Sequence, residues 1–315
     1  MKTINVLFYT LLLTCFTACG NSLKEKYKFA TESIKNKEFE VAISMLNEVI
    51  YQDSTIYQAY QSRAFCYYNI QAYKKAIIDN EKAYELSKND QLHYNIGMNY
   101  FKIGKFNLAL ESFNKFEKTD TSNPNLWIHK AICFSKVKNY NAAIKYYKKA
   151  YHSFSDSISI LKEIGVCYFQ VSNYSKAIET LEEYKTANNE DSSVHEMMAF
   201  SYHQLGQYQK AKINFDLIIK LGMEIDENTR NLVIKNLIKL GQNQYNKKAF
   251  MKALLTFSEA VALDPINAEG YFNRGLVQLH YKKRKEACED FNLAFLNGHP
   301  ESISIMKENC EEYFE

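Results

Sequence analysis

The side chains most able to do chemistry are the cysteines and histidines, and their spacing argues against a shared site. The chain holds seven of each. No two histidines stand four residues apart, the spacing with which one helix holds zinc, and no Cys-x-x-Cys pair occurs. Glycine-rich phosphate loops and Gly-x-Ser-x-Gly elbows are also missing from the sequence. The sequence therefore predicts a protein without cofactor, metal site or enzymatic activity.

Three of the cysteines occupy one position in a repeating pattern. Cys66, Cys133 and Cys167 each lie ten residues before an alanine, and alanines in this role recur every 33 or 34 residues, with one gap of 42. The repeat alanines are Ala42, Ala76, Ala109, Ala143, Ala177, Ala211, Ala253 and Ala287. Equivalent positions are a full repeat apart, beyond the Cα separation of about 7 Å that a disulfide tolerates. We therefore predict that these three cysteines are buried small residues.

Other residues recur in phase with the alanines and predict a pair of antiparallel helices. Each alanine follows an aromatic residue by three positions, except that Arg284 takes this place in the last repeat. Mostly apolar residues follow four and seven positions later, which keeps one face of a helix apolar. A small residue, Ala or Gly, precedes each alanine by twelve positions and marks a second helix. A single hairpin leaves one apolar face exposed to solvent, so we expect the hairpins to stack into an all-α array.

This pattern resembles the tetratricopeptide repeat (TPR). The clearest copies run from Trp127 to Ala150 and from Tyr271 to Ala294. The pattern departs from the family at Ser33, where a tyrosine is usual, and at Arg284, and only Pro265 occupies the closing proline position. The resemblance implies an α-solenoid of about eight hairpins with a C-terminal capping helix, wound into a right-handed superhelix whose concave face binds peptides or proteins.

The repeat and the two termini set the predicted boundaries. We assign residues 1–18 to a signal peptide, 19–22 to a tether, 23–301 to the repeat array and 302–315 to the capping helix. The predicted units are 23–56, 57–89, 90–123, 124–157, 158–191, 192–225, 234–267 and 268–301. Between the sixth and seventh units the spacing grows by eight residues, near 222–233. That insertion lengthens either a loop or a helix, and a hinge at this point is an alternative to simple elongation.

The register of the family implies which residues line the concave face. They are Phe65, Tyr68, Asn69, Tyr94, Asn95, Met98, Phe101, Lys102, His129, Ile132, Phe169, Phe200, His203, Tyr245, Phe272 and Asn273. Aromatic rings beside amides suit an extended peptide, because rings supply contact area and amides pair with main-chain groups. The alternative is that many of these aromatics only pack between helices. We expect Tyr94, Asn95 and Phe101 to matter most. A carboxylate clamp is not expected, because Asn125 and His129 stand where its basic residues belong.

The amino terminus resembles that of a bacterial lipoprotein. Ile4 to Phe16 is a mostly apolar run, too short to span a bilayer, and Thr17-Ala18-Cys19-Gly20 follows it directly. The resemblance implies cleavage before Cys19 and lipidation of that residue, and Gly20 in place of an aspartate implies the outer membrane, facing the periplasm. The alternative is an ordinary signal peptide cut near Ala18. Without the signal peptide, 38 basic and 36 acidic side chains remain, so nucleic-acid binding is not expected.

Cys288 and Cys310 differ from the other cysteines. Cys288 lies in the last repeat, and Cys310 lies in a predicted trailing helix from Glu301 to Tyr313. If that helix folds back over the end of the array, the two cysteines are candidates for a disulfide, which an exported protein can form. The spacing also resembles the ending of many exported bacterial repeat proteins of this type.

Taken together, these features predict a non-enzymatic, lipid-anchored scaffold of the cell envelope that binds a protein or an extended peptide, such as an assembly or secretion accessory. The alternative is a non-catalytic subunit or receptor component of an envelope enzyme or nutrient-uptake system. The sequence does not identify the partner, the process or the oligomeric state.

Overall fold

The fold is built from helices alone in the part of the chain that the structure describes. A computed structural model describes residues 22–153, 158–188, 190–222 and 225–310, and these residues form 17 helices and no strand. The predicted signal peptide, Cys19 and residues 311–315 lie outside the described residues. The all-α prediction is confirmed. By their contacts the residues divide into two compact units, Met1–Ser155 and Asp156–Glu315.

The first unit contains four helix hairpins. Their helices are α1 Leu23–Lys35 with α2 Phe39–Gln52, α3 Tyr57–Asn69 with α4 Tyr73–Ser87, α5 Leu92–Lys102 with α6 Phe106–Glu117, and α7 Pro124–Lys136 with α8 Tyr140–Tyr151. Each hairpin packs on the next through its second helix, so that α2 contacts α3, α4 contacts α5 and α6 contacts α7. This is the stacking that the repeat predicts.

The second unit contains four further hairpins and a short last helix. They are α9 Ile158–Gln170 with α10 Tyr174–Lys185, α11 Ser192–Gln204 with α12 Tyr208–Lys220, α13 Glu227–Asn246 with α14 Phe250–Leu263, α15 Ala268–His280 with α16 Arg284–Leu296, and then α17 Ser302–Asn309. The division between the units falls in the connection before α9. The hinge considered near 222–233 stays a prediction.

All eight hairpin turns use the same backbone conformation. In each hairpin the second helix begins at the aromatic residue that lies three positions before the repeat alanine, or at Arg284 in the last hairpin. The residue two positions before that first residue has a positive φ of 57–73°. These residues are Lys37, Gln71, Gly104, Lys138, Ser172, Gly206, Lys248 and Lys282. In the second hairpin the Gln71 amide donates to the Tyr68 carbonyl at 3.0 Å and the next amide donates to the Tyr67 carbonyl at 2.7 Å. This is a Schellman motif, which satisfies the last carbonyls of the first helix and reverses the chain.

The core of each hairpin joins the small residue of the first helix to the residue four positions after the repeat alanine, here called the +4 residue. All eight repeat alanines are fully buried. A Cβ built on Gly97 would lie 2.5 Å from Cε1 of Phe113, and one on Gly165 would lie 2.5 Å from Cδ2 of Leu181. In these two hairpins the +4 side chain therefore occupies the space that a Cβ of the small residue would need.

The insertion between the sixth and seventh repeats lengthens a helix. Helix α13 has 20 residues and begins 26 residues before its repeat alanine, whereas α11 and α15 begin 19 residues before theirs. Asp226 caps the new N-terminus by accepting a 2.7 Å hydrogen bond from the Thr229 amide. The Thr229 hydroxyl donates to Glu196 of α11 at 2.7 Å, which attaches the two extra turns to the preceding hairpin.

Helix α17 folds back over the last hairpin, shorter than the predicted helix from Glu301 to Tyr313. Cys288 and Cys310 form a disulfide with a Cα–Cα distance of 5.7 Å, and Met306 is buried in the same cluster. Arg284, which replaces the turn aromatic, donates from Nε to the Asn309 carbonyl at the end of α17. No further hairpin packs on this turn within the described residues, so the guanidinium satisfies a helix terminus instead of filling a gap between repeats.

The three cysteines at equivalent positions are fully buried thiols, as predicted. Burial raises the pKa of Cys66 to about 11 and that of Cys133 to about 12. Thiols with such pKa values are protonated at neutral pH and are poor nucleophiles, which agrees with a packing role.

Candidate functional site

A recess between α3 and α5 brings together five of the residues predicted to bind a partner. It has a volume of about 260 Å³. We call it the Asn80 recess, and its lining residues are Gln61, Ala64, Phe65, Tyr68, Asn80, Tyr94, Asn95, Met98 and Asn99. None of these side-chain types carries a formal charge at neutral pH. The arrangement suits a neutral group with apolar area and hydrogen-bonding capacity.

The recess exists because one core position is underfilled. The +4 residue is Leu, Phe or Tyr in seven hairpins and Asn80 in the second hairpin. Asn80 is only 3% exposed, and its Nδ2 donates to the Ala76 carbonyl at 2.9 Å, back along its own helix. A short amide held in this way cannot fill the space that Leu46 fills against Ala30 in the first hairpin.

Asn99 also lines the recess, and its side-chain oxygen is buried. This residue is 1% exposed, and its Nδ2 donates to the Asn95 carbonyl at 2.7 Å. Its Oδ1 is buried without a hydrogen-bond partner, a state that costs about 1–3 kcal/mol. Asn99 occupies the position of the buried cysteines, ten residues before the repeat alanine, where the eighth hairpin has the fully buried Val277. Of the two amides at this recess, Asn80 is the uncommon one, because Asn243 takes the position of Asn99 in the seventh hairpin.

Tyr94 lines the recess and contacts His129 outside it. The Tyr94 ring packs against Phe113 and Phe116, with centroids 5.9 and 5.2 Å away, and its hydroxyl lies 3.4 Å from His129 Nδ1. Burial lowers the pKa of His129 and raises that of Tyr94. Both side chains are therefore neutral at physiological pH.

Phe101 is packed rather than free. Its ring lies 5.9 Å from Phe106 and 5.5 Å from His129, in edge-on contacts. Phe65, in contrast, is 53% exposed at the mouth of the recess, and Asn95 is also exposed. Lys102 and Asn69 are also exposed, but they do not line the recess. The Asn69 side chain donates a hydrogen bond to the Phe65 carbonyl at 2.8 Å.

A second, larger pocket lies in the second unit and brings together two more predicted residues. Phe169 and Phe200 contact each other edge-on at 5.3 Å and line a volume of about 510 Å³. The opposite wall includes Asn228, Thr229, Asn231 and Leu232, which belong to the first turns of α13. The inserted residues therefore enlarge this pocket. Glu196 and Lys235 make it more polar than the Asn80 recess.

Three further predicted residues, Tyr245, Phe272 and Asn273, lie towards the C-terminal end and contact their own neighbours, and the Nδ1 of His203 lies 3.1 Å from Asn236 Oδ1. Tyr245 contacts Phe250 at 5.2 Å, and Asn273 donates to the Glu269 carbonyl at 2.7 Å. Phe272 stacks on His299 at 4.1 Å and belongs to the apolar cluster that α17 closes. The sequence did not indicate this role for Phe272, because the folding back of α17 decides it.

Sequence reasoning missed Gln61, Asn80 and Asn99 as lining residues. A signal was present for Asn80, because it interrupts a column of large side chains, whereas Asn99 has the same residue type as Asn243 at the equivalent position of the seventh hairpin and does not stand out. In the described residues, no group of three or more His, Cys, Asp or Glu side chains is placed to hold a metal ion. Within the same residues, no helix combines the length and the apolar character needed to cross a membrane.

Comparisons with known proteins agree with the repeat. Residues 91–123 match a model of the tetratricopeptide repeat, and residues 136–216 match a model of the anaphase-promoting complex, cyclosome, subunit 3. A search of curated proteins finds no match. The tetratricopeptide-repeat match coincides with the third hairpin, and the second match runs from α8 into α12.

Solved structures of low sequence identity share the fold. The C-terminal part of a TPR repeat-containing protein from Cytophaga hutchinsonii is 19% identical, covers 78% of this chain and 98% of its own, and has a TM-score of 0.52. A tetratricopeptide repeat protein from Parabacteroides merdae is 14% identical, covers 82% of this chain and 100% of its own, and has a TM-score of 0.50. MamA AMB-1 is 18% identical over 56% of this chain and 97% of its own, also with a TM-score of 0.50. At these identities the likeness concerns the fold alone.

Proposed function

We propose that the protein is a non-enzymatic scaffold, lipid-anchored in the bacterial envelope, that binds a segment of a protein partner at the Asn80 recess. Tetratricopeptide repeats generally mediate protein–protein interaction, and such arrays are typically not catalytic. The observation that carries the proposal is the grouping of Phe65, Tyr68, Tyr94, Asn95 and Met98 around one open recess. Partly exposed rings beside amides supply area and main-chain hydrogen bonds for a bound segment.

The test uses the two exposed residues of the recess. Phe65→Ala/Asn95→Ala removes contact area and an amide without opening the core, because both side chains are already exposed. We expect partners recovered from detergent-solubilised membranes to be lost with this variant, while its helical circular dichroism stays unchanged. Tyr94 and Phe101 are less suitable, because alanine there would also remove interior packing.

A matched control changes the same number of exposed side chains elsewhere. Ile78 is 65% exposed on α4 and Lys74 is exposed on the same helix, and neither lines the recess. The Ile78→Ala/Lys74→Ala variant should keep the partner. Retention of the partner by the recess variant, or equal loss in both variants, would contradict binding at the recess.

The envelope part of the proposal rests on the amino-terminal sequence. Cys19 follows a short apolar run and small residues, and the family that it resembles attaches lipid to this cysteine. We expect the native chain to fractionate with membranes, to face the periplasm from the outer membrane and to incorporate labelled fatty acid. Cys19→Ser should abolish the label and release the protein. Labelling that persists in this variant would exclude Cys19 as the lipidated residue.

A further inference from the structure

The +4 position of the second hairpin differs from its counterparts in the rest of the array. In the other seven hairpins the +4 residue is large and buried, and these residues are Leu46, Phe113, Tyr147, Leu181, Phe215, Phe257 and Phe291. The recess is lined by both Ala64 and Asn80, which are the small residue and the +4 residue of the second hairpin. The other hairpins therefore fill this position from within, whereas in the second hairpin it borders open space.

The lining of the recess offers apolar area and carries no formal charge. Its walls include three aromatic rings and a thioether, those of Phe65, Tyr68, Tyr94 and Met98. The charged residues next to Ala64 and Asn80 in the sequence, Arg63 and Asp79, bind each other through two hydrogen bonds of 2.7 Å and do not line the recess. An ionised occupant would lose its hydration there without meeting a counter-charge, so the lining favours a neutral occupant with apolar area.

The amide of Asn80 does not close the position itself. Its Nδ2 donates to the Ala76 carbonyl at 2.9 Å, one turn back along α4. The donor of this amide is therefore already used within its own helix, and a polar occupant gains less from it than an unbonded amide would offer.

We infer that an apolar side chain of the partner, such as leucine or phenylalanine, enters the Asn80 recess and takes the place that the +4 residue fills in the other hairpins. This inference rests on the proposed function and specifies which kind of partner residue the site binds. The chain itself indicates the class of occupant, because six of the seven other +4 residues are leucine or phenylalanine. Burial of such a side chain is favourable in proportion to the apolar area removed from water.

The first experiment tests the open position without a partner. Asn80→Leu reproduces the Ala30–Leu46 pair of the first hairpin, and Asn80→Phe reproduces the buried Ala199–Phe215 pair of the sixth. Neither change leaves a polar group unpaired, because the Ala76 carbonyl keeps its hydrogen bond within the helix. We expect hydrogen exchange in α3 and α4 to be no faster than in the parent. Faster exchange in both variants would show that the position has no room for an apolar side chain and would overturn the inference.

The second experiment compares two probes on the full chain by ¹³C NMR of the methionine methyl groups. N-acetyl-leucinamide and N-acetyl-asparaginamide have the same number and branching of non-hydrogen atoms and differ in polarity. The Met98 methyl signal reports on the recess, because Met98 lines it. We expect the leucine probe to shift this signal with a Kd in the millimolar range and the asparagine probe to bind at least tenfold more weakly. Equal binding of the two probes, or no shift with the leucine probe, would contradict an apolar occupant.

Variants that fill the recess from within assign the probe to it. The leucine probe should bind a few-fold more weakly to Asn80→Leu and at least tenfold more weakly to Asn80→Phe, because the larger side chain takes more of the space. Asn114→Leu is a matched control, since it makes the same substitution at an exposed position of α6 that does not line the recess. Unchanged affinity in Asn80→Phe, or an equal loss in Asn80→Leu and Asn114→Leu, would refute the assignment.

Failure of this inference is distinguishable from failure of the proposed function. If Phe65→Ala/Asn95→Ala loses the partner and Asn80→Phe keeps it, the partner binds at the mouth of the recess without inserting a side chain, and only the inference is wrong. If both lose the partner and the probes show no preference for leucine, the occupant is not apolar, and again only the inference is wrong. If both variants keep the partner, binding at the recess itself is wrong. If both lose it and the leucine probe is preferred, both proposals stand.

Discussion

The contact between Gly97 and Phe113 allows the packing of one hairpin to be tested quantitatively. In Gly97→Ala the new Cβ would lie 2.5 Å from Cε1 and 2.6 Å from Cδ1 of Phe113, well inside the optimum of about 3.5–4.0 Å. The Phe113 ring is fully buried and contacts Tyr94, so it has little room to move. Overpacking of this kind costs about 1–3 kcal/mol, and replacing glycine in a helix returns about 1 kcal/mol. We expect a net loss of up to about 2 kcal/mol.

A second substitution should remove most of that loss. Phe113→Leu alone leaves a small void and costs about 1 kcal/mol. Together the two changes give an Ala–Leu pair, the combination that the first hairpin buries completely as Ala30 and Leu46. The double variant should therefore be more stable than the sum of the single effects predicts, by about 1–2 kcal/mol of coupling free energy.

The assay must report on this hairpin alone, because repeat arrays unfold in blocks and a single global free energy is not defined for them. Native-state hydrogen exchange of the amides in α5 and α6 gives the local free energy of opening for the parent, both single variants and the double variant. Strictly additive effects would refute the argument that these two side chains share one volume. A Gly97→Ala variant more stable than the parent by about 1 kcal/mol, the full gain from replacing a helical glycine, would refute the overpacking itself.

Three further predictions concern other parts of the array. Burial raises the pKa of Asp191, but its hydrogen bonds, first that from Lys162, outweigh burial and hold the pKa at about 2. A stabilisation of up to about 2 kcal/mol, present above pH 4, should therefore be lost as the pH falls towards 2. In acid denaturation the Lys162→Met variant should show a weaker dependence of stability on pH. Replacing Cys288 and Cys310 by serine should lower the stability of the last hairpin by about 3 kcal/mol, measured by hydrogen exchange, and no change on replacement would contradict a closed loop. Gly104→Ala, at φ +73°, should cost about 1 kcal/mol by the same measurement, whereas a gain in stability would contradict a left-handed turn.

The periodic residues allow most of the fold to be predicted, because each of them has a local physical role. Alanine and glycine at close helix crossings, and an aromatic at each turn, impose the hairpin whatever the rest of the chain does. Whether the insertion forms a loop or extends α13 depends on the capping by Asp226 and on the Thr229–Glu196 contact, which join residues distant in sequence. Such contacts have no periodic signal, so the sequence left both alternatives open.

The candidate site was predictable in location and less so in composition. The register of the repeat places Phe65, Tyr68, Tyr94, Asn95 and Met98 on one surface, and the structure brings them together. The register does not distinguish a ring that is available to a partner from one that packs inside. Phe101 and Phe272 satisfy the pattern as well as Phe65 does, yet their neighbours His129 and His299 cover them. Exposure of an aromatic depends on its particular neighbour, which varies between repeats.

Departures from the repeat point to function only when the structure fails to explain them. Arg284 departs from the aromatic turn position, and the Asn309 carbonyl accounts for it, because the end of the array needs a helix cap there. Asn80 departs at a core position that is Leu, Phe or Tyr in the other seven hairpins, and the fold leaves a recess beside it. Since the leucine that the first hairpin has at this position would fill that space, Asn80 is the departure that packing within the described residues does not explain.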